Sequence, residues 1–136
     1  MYKTILIPVD LTHQDRVPSM MQAARQMADD TASITLVNVI EDVPGYLEGQ
    51  LPQGVLDRLV TQAQGELEAI AGKVAQGVDL TVRCGQPASE ILSLAKETSA
   101  DLIVIASHRP GFGDFLIGST AARVVRHADC SVHVMR

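Results

Sequence analysis

The chain has 136 residues, enough for one domain spanning 1–136 that buries roughly two-thirds of the surface its unfolded form would expose. Apolar residues make up 46%, yet two are Phe, two Tyr and none Trp, so the core must come from Val, Ile, Leu, Ala and Met. That suits packed α/β layers, argues against base-stacking RNA recognition, and the net charge of −5 further disfavours nucleic acid and anionic membrane as partners.

The charge is uneven. From Ser107 onward the chain holds Arg109, Arg123, Arg126 and Arg136 against Asp114 and Asp129, with His108, His127 and His133. Ordinary scatter plus helix C-terminal cations explains this as readily as positive charge gathered beside a Gly-rich loop. Cys84 and Cys130 lack CxxC spacing, and there is no signal peptide or apolar run long enough to span a membrane. A cytoplasmic location with both thiols reduced is therefore expected.

Tyr2 to Val9 is apolar after Lys3, as in a strand covered on both faces. Pro8 and Asp10 end it. A loop with Thr12, His13 and Gln14 leads to a helix near Asp15, whose apolar face is Val17, Met20, Met21, Ala24, Met27 and Ala28. Ser33 to Ile40 reads as a second strand, and Glu41 to Leu51 as an exposed connection. A long helix is expected from about Pro52 to Ala75, with Val55, Leu59, Ala63, Leu67, Ile70 and Val74 on one face. Val78, Leu80, Val82 and Cys84 alternate with polar residues, the pattern of an edge strand. Gly85 turns the chain, Pro87 starts a third helix anchored by Ile91, Leu92 and Ala95, and Leu102 to Ala106 is a second doubly covered strand. A fourth helix opens at Ser119 and Thr120 with Ala122, Val125 and Ala128 facing inward, and Ser131 to Arg136 is the last strand.

This alternation predicts a single open five-stranded parallel sheet with helices on both faces. The continuous strands, first and fourth, belong at the centre and the alternating ones at the edges, giving the order 3-2-1-4-5. Cys84 and Cys130 then lie on opposite edges, roughly 19 Å apart, which excludes a disulfide between them. Ligands bind such sheets where the order reverses, at the carboxyl ends of strands one and four. Pro8, Val9 and Asp10 meet Ala106 to Thr120 there. A backbone that leaves a strand, turns through Gly111, Gly113 and Gly118, and enters a helix offers amide donors suited to a phosphate. Ser119 and Thr120 also have a plain structural use, because hydroxyl residues are preferred N-caps.

YKTILIPVD, GQPASEIL, ADLIVIASHRP and LIGSTAARVVRHADCSVHVMR, in this order and over the whole length, resemble the universal stress proteins. SHRP, GST and RHADCSV resemble the F/G-type subgroup. The resemblance implies an adenine nucleotide alpha hydrolase-like, Rossmann-like fold, and ATP or AMP held as a regulatory ligand in stress response. The nucleotide-binding branch has the motif G-x2-G-x9-G-[ST]. Here its last pair is Gly118 and Ser119, its first two glycines fall on Ala106 and Arg109, and the second spacing is eight residues. Arg109 either presents its guanidinium to the phosphates or points to solvent. Because the resembled subgroup carries SHRP and is regarded as nucleotide-binding, retained binding is the reading taken.

By the same resemblance Asp10 contacts the nucleoside and Val39 presents backbone atoms to the adenine edge. Ser107, His108, Arg109, Gly118, Ser119 and Thr120 surround the phosphates. Mg²⁺ brought by the nucleotide is the one metal entertained. Catalytic residues are not identified: GxSxG and GxxxxGK[ST] are absent and no general base is evident. ATP hydrolysis or autophosphorylation is at most slow. A homodimer through the C-terminal edge strand is implied, and a nucleotide-free dimeric signalling module is the alternative reading.

Overall fold

The computed structural model describes residues 1–41, 54–74, 77–107 and 117–136. The apolar run Tyr2–Pro8 forms β1. A 3-10 segment, Leu11–Arg16, leads into α1, Val17–Met27, which carries Pro18 in its first turn where a missing N–H costs nothing. This helix starts two residues later than its apolar spacing suggests, because Asp10 caps the 3-10 segment instead. Then come β2, Ala28–Glu41, and α2, Val55–Val74. The second half holds β3, Asp79–Gly85, α3, Pro87–Glu97, β4, Leu102–Ala106, α4, Ser119–His127, and β5, Ser131–Met135.

The strands form one parallel sheet in the expected order, β3-β2-β1-β4-β5. Alternate side chains of the central strands feed two cores. Ile5, Ile7, Leu102 and Val104 pack with α1 and α2, while Leu6, Ile103 and Ile105 pack with α3 and α4. Burial on both faces is what turned β1 and β4 into continuous apolar runs. Cys84 on β3 and Cys130 beside β5 sit at opposite edges and are not joined by a disulfide, and burial pushes the Cys130 thiol up.

Several boundaries and faces differ from the sequence reading. β2 begins at Ala28, not Ser33, because its pairing with β1 skips from Tyr2–Ala28 to Thr4–Ser33. The surplus residues turn on Asp29, whose carboxylate accepts from the Thr31 amide at 2.9 Å and hydroxyl at 3.0 Å. On α2 the stripe is buried at Ala63, Leu67, Ile70 and Ala71, but Leu59 is 43% exposed. On α4 the buried pair is Ala121 and Val124, and Val125 lies 45% exposed, one residue out of phase with the expected face. The expected connection beyond Glu41, and Pro52, Gln53 and Ala75 of the expected long helix, lie outside the described residues; Gly54, at φ 95°, is a turn, so the helix opens at Val55.

Two polar clamps fix the sheet. Arg83 on β3 is forked onto Glu97 at 2.8 and 3.0 Å and reaches Glu90 at 3.1 Å, tying the edge strand to α3. At the amino end of β1, Asp101 accepts from the Lys3 amide at 2.9 Å and the Thr4 amide at 2.9 Å, and its own amide donates to the Thr4 carbonyl at 2.9 Å. Burial pushes the Asp101 carboxyl upward, but these amides together outweigh it and hold the group below the usual carboxylate value. A carboxyl depressed in the folded state stabilises fully above its unfolded value, and that stabilisation is lost as the pH falls through the folded value. Asp101→Asn should therefore cost about 1–2 kcal/mol at pH 7 and progressively less below about pH 4. Urea midpoints of both proteins at pH 7 and pH 3 check this; a cost that does not change with pH refutes it.

Candidate functional site

Pro8 closes β1, and the chain leaves the sheet through two bonds to β2. The Val9 amide donates to the Val37 carbonyl at 2.7 Å, and the Val9 carbonyl accepts from Asn38 Nδ2 at 2.9 Å. The chain then turns at Asp10, whose Oδ1 accepts from the Thr12 amide at 2.9 Å and the Thr12 hydroxyl at 2.6 Å. Oδ2 lies 4.0 Å from His13 Nε2, and the Asp10 side chain is 61% exposed. One carboxylate oxygen thus holds the turn, while the other lies near His13 on an exposed side chain and can accept a hydroxyl or amine donor.

On the neighbouring strand, β4 ends at Ala106. The Ser107 amide donates to the Met135 carbonyl at 2.7 Å, which carries the β4–β5 ladder one residue further. The Ser107 hydroxyl oxygen accepts from the Gly118 amide at 2.8 Å across an eleven-residue separation. Gly118 is the N-cap of α4 and no side chain at that position caps the helix. This corrects the expectation that Ser119 or Thr120 caps it: both lie inside the first turn, and Ser107 at the strand end supplies the hydroxyl acceptor. The first-turn amides of α4 have no intrahelical partner, and no acidic residue occupies that turn. The positive end of the helix dipole is therefore available to an anion.

The two strand ends share a cleft of about 480 Å³. It is lined by Pro8, Val9, Asp10, Val39, Ala106, Gly118, Ser119 and Thr120 of the residues singled out from sequence. Ser107 stands behind it, joining β4 to α4. His108, Arg109, Gly111 and Gly113 lie outside the described residues. The cleft also takes in Thr12, His13, Arg16, Asn38, Glu41 and Pro87, none of which the sequence reading singled out as site residues. Of these, Asn38 left a trace in the sequence, as the lone amide in the apolar run of β2. The floor is apolar, with Ile91 and Ile105. A carboxylate stands at one end and unpaired helix amides at the other. Among the described residues, His, Cys, Asp and Glu form no cluster of three suited to a metal, and no helix is long and apolar enough to cross a membrane.

The fold recurs in known proteins. A universal stress protein of Lactobacillus plantarum has the same fold, with a TM-score of 0.71, 26% identity, and 99% of this chain and 98% of that one covered. A universal stress protein solved in complex with cAMP superposes with a TM-score of 0.57 at 22% identity, covering 99% of this chain and 97% of that one. In sequence, universal stress protein G of Escherichia coli O157:H7 is 31% identical, and the alignment covers the full length of both chains. The model of the universal stress protein family matches residues 1–136. The chain belongs to the universal stress protein family.

Proposed function

We propose that this chain binds an adenine nucleotide, ATP or AMP, as a regulatory ligand in a cytoplasmic stress response. The observation that carries this reading is the single cleft shared by the Asp10 carboxylate and the open amino end of α4. A nucleotide has a hydroxyl-rich donor end and an anionic end, and these two features answer them in that order. Asp10 Oδ2 takes a ribose hydroxyl, the Val39 backbone meets the base, and the amides and hydroxyls of Ser119 and Thr120 take phosphate oxygens beside Ala106 and Gly118. His108 and Arg109 belong to the phosphate end by their place in the sequence. The related structure with cAMP supports an adenine nucleotide as the ligand class.

Mg²⁺ arrives with the phosphates in this reading and needs no dedicated protein cage. Turnover is slow or nil, because no lysine and no general base lines the phosphate end among the described residues. β5 is hydrogen-bonded to β4 on one side and forms the sheet edge on the other, so two copies can pair along it as a homodimer. Light scattering should return twice the chain mass, and a monomer at micromolar concentration would refute that pairing.

Calorimetric titration with ATP and AMP should give a saturable isotherm, and no heat at millimolar ligand would sink the nucleotide reading. Gly118→Val puts a branched side chain at the N-cap and should reduce affinity at least tenfold while circular dichroism is unchanged. Ser107→Ala removes the acceptor that serves the Gly118 amide and should lower stability by about 1 kcal/mol, read from thermal melts of the ligand-free protein.

A further inference from the structure

We propose that Asn38 is a positioning residue for the nucleoside end of the cleft: its side-chain amide sets the exit of β1 and thereby the placing of Asp10. The inference rests on the nucleotide reading and assigns to β2 a part of the site that nucleotide contacts alone do not give.

β1 pairs with β2 in register as far as Pro8 opposite Val37. Beyond that point the two strands separate, and β1 must surrender its ladder at an apolar place, since Val9 is only 4% exposed. Its amide is still served by the backbone, by the Val37 carbonyl at 2.7 Å. Its carbonyl is served by a side chain, Asn38 Nδ2 at 2.9 Å. That carbonyl belongs to the peptide joining Val9 to Asp10, so the bond fixes the plane of the peptide on which Asp10 is carried. Asp10 then adopts an extended conformation, φ −92° and ψ 112°, and its Oδ1 receives both donors of Thr12. The chain of contacts is continuous from the Asn38 side-chain amide to the Asp10 carboxylate. No other residue of β2 between Ile34 and Ile40 offers a side-chain N–H donor, so the bond depends on this one residue. A carbonyl so poorly exposed to water has a strong demand for its partner.

Asn38→Asp tests the assignment, since it keeps the shape and replaces the donor by an acceptor that repels the Val9 carbonyl. Asn38→Leu, of similar volume and without charge, serves as a second variant if the first melts too early to be studied. Two readouts are needed. In the ligand-free protein, amide exchange at Thr12 should speed up about tenfold or more as the Asp10 turn loosens, while exchange along β4 and β5 stays as in the parent. In ATP titrations, Asn38→Asp should lose about five- to tenfold in affinity, and the Asp10→Ala, Asn38→Asp double variant should bind no worse than Asp10→Ala alone, as expected of residues acting in series. Losses that multiply, or Thr12 exchange unchanged with Asn38 altered, overturn the assignment. If the parent protein binds neither ATP nor AMP, the nucleotide reading falls, and Thr12 exchange alone decides whether Asn38 places Asp10.

Discussion

β1 has hydrogen-bonded neighbours on both edges and packed helices on both faces, so each of its backbone polar groups must find a partner within the protein. Within the strand the ladders do this. At the ends they cannot, because β2 and β4 do not start and stop with β1, and side chains take over. At the amino end the Asp101 carboxylate accepts the Lys3 and Thr4 amides. At the carboxyl end the Asn38 amide serves the Val9 carbonyl. One end takes a side-chain acceptor and the other a side-chain donor.

The site follows from the same constraint. A parallel sheet with helices returning on both faces has a gap wherever two neighbouring strands send their chains to opposite sides, and here those strands are β1 and β4. From β1 the chain turns into the 3-10 segment and α1, toward the core built on Ile5, Ile7 and Val104. From β4 the chain reaches α4 on the other face, and the Ser107 hydroxyl keeps the start of that helix against the strand it came from. Polar side chains that finish a ladder or a helix are therefore the ones that border the cleft. Structural duty and candidate binding role fall on the same small set of residues.

The architecture was readable in the sequence because burial on two faces, on one face, and along a helix leaves three different periods. Strand order and the location of the crevice followed from them. The phase of α4 did not, and the cause is specific. Ala121 and Ala122, then Val124 and Val125, are adjacent twins, so the apolar spacing fits two rotations of the helix equally well and only packing against α3 selects one. The cap of α4 was misassigned because an N-cap preference is local, whereas the acceptor supplied by Ser107 comes from the end of β4, eleven residues earlier. The early start of β2 escaped notice for a similar reason: Asp29 closes a bulge inside the strand, and a bulge breaks the alternation that marks a strand. Asn38 passed unremarked because a single polar residue in an apolar strand carries no period; its meaning lies in a carbonyl twenty-nine residues away.

Magnitudes decide which end of the cleft matters more for affinity. The amino end of a helix contributes about 0.3–1 kcal/mol to holding a negative charge, whereas micromolar binding requires about 8 kcal/mol. The net charge of −5 subtracts from the attraction of any nucleotide phosphate. α4 is therefore better suited to orienting phosphates than to holding a ligand by them. If the cleft takes a nucleotide as proposed, most of the binding free energy arises at the nucleoside end, where Pro8, Val9, Val39 and Ile105 offer apolar contact and Asp10 an acceptor. Hydrogen bonding in a partly desolvated cleft is sensitive to small displacements of the acceptor. A site of this kind depends less on the number of its charges than on how firmly β1 is held where it leaves the sheet.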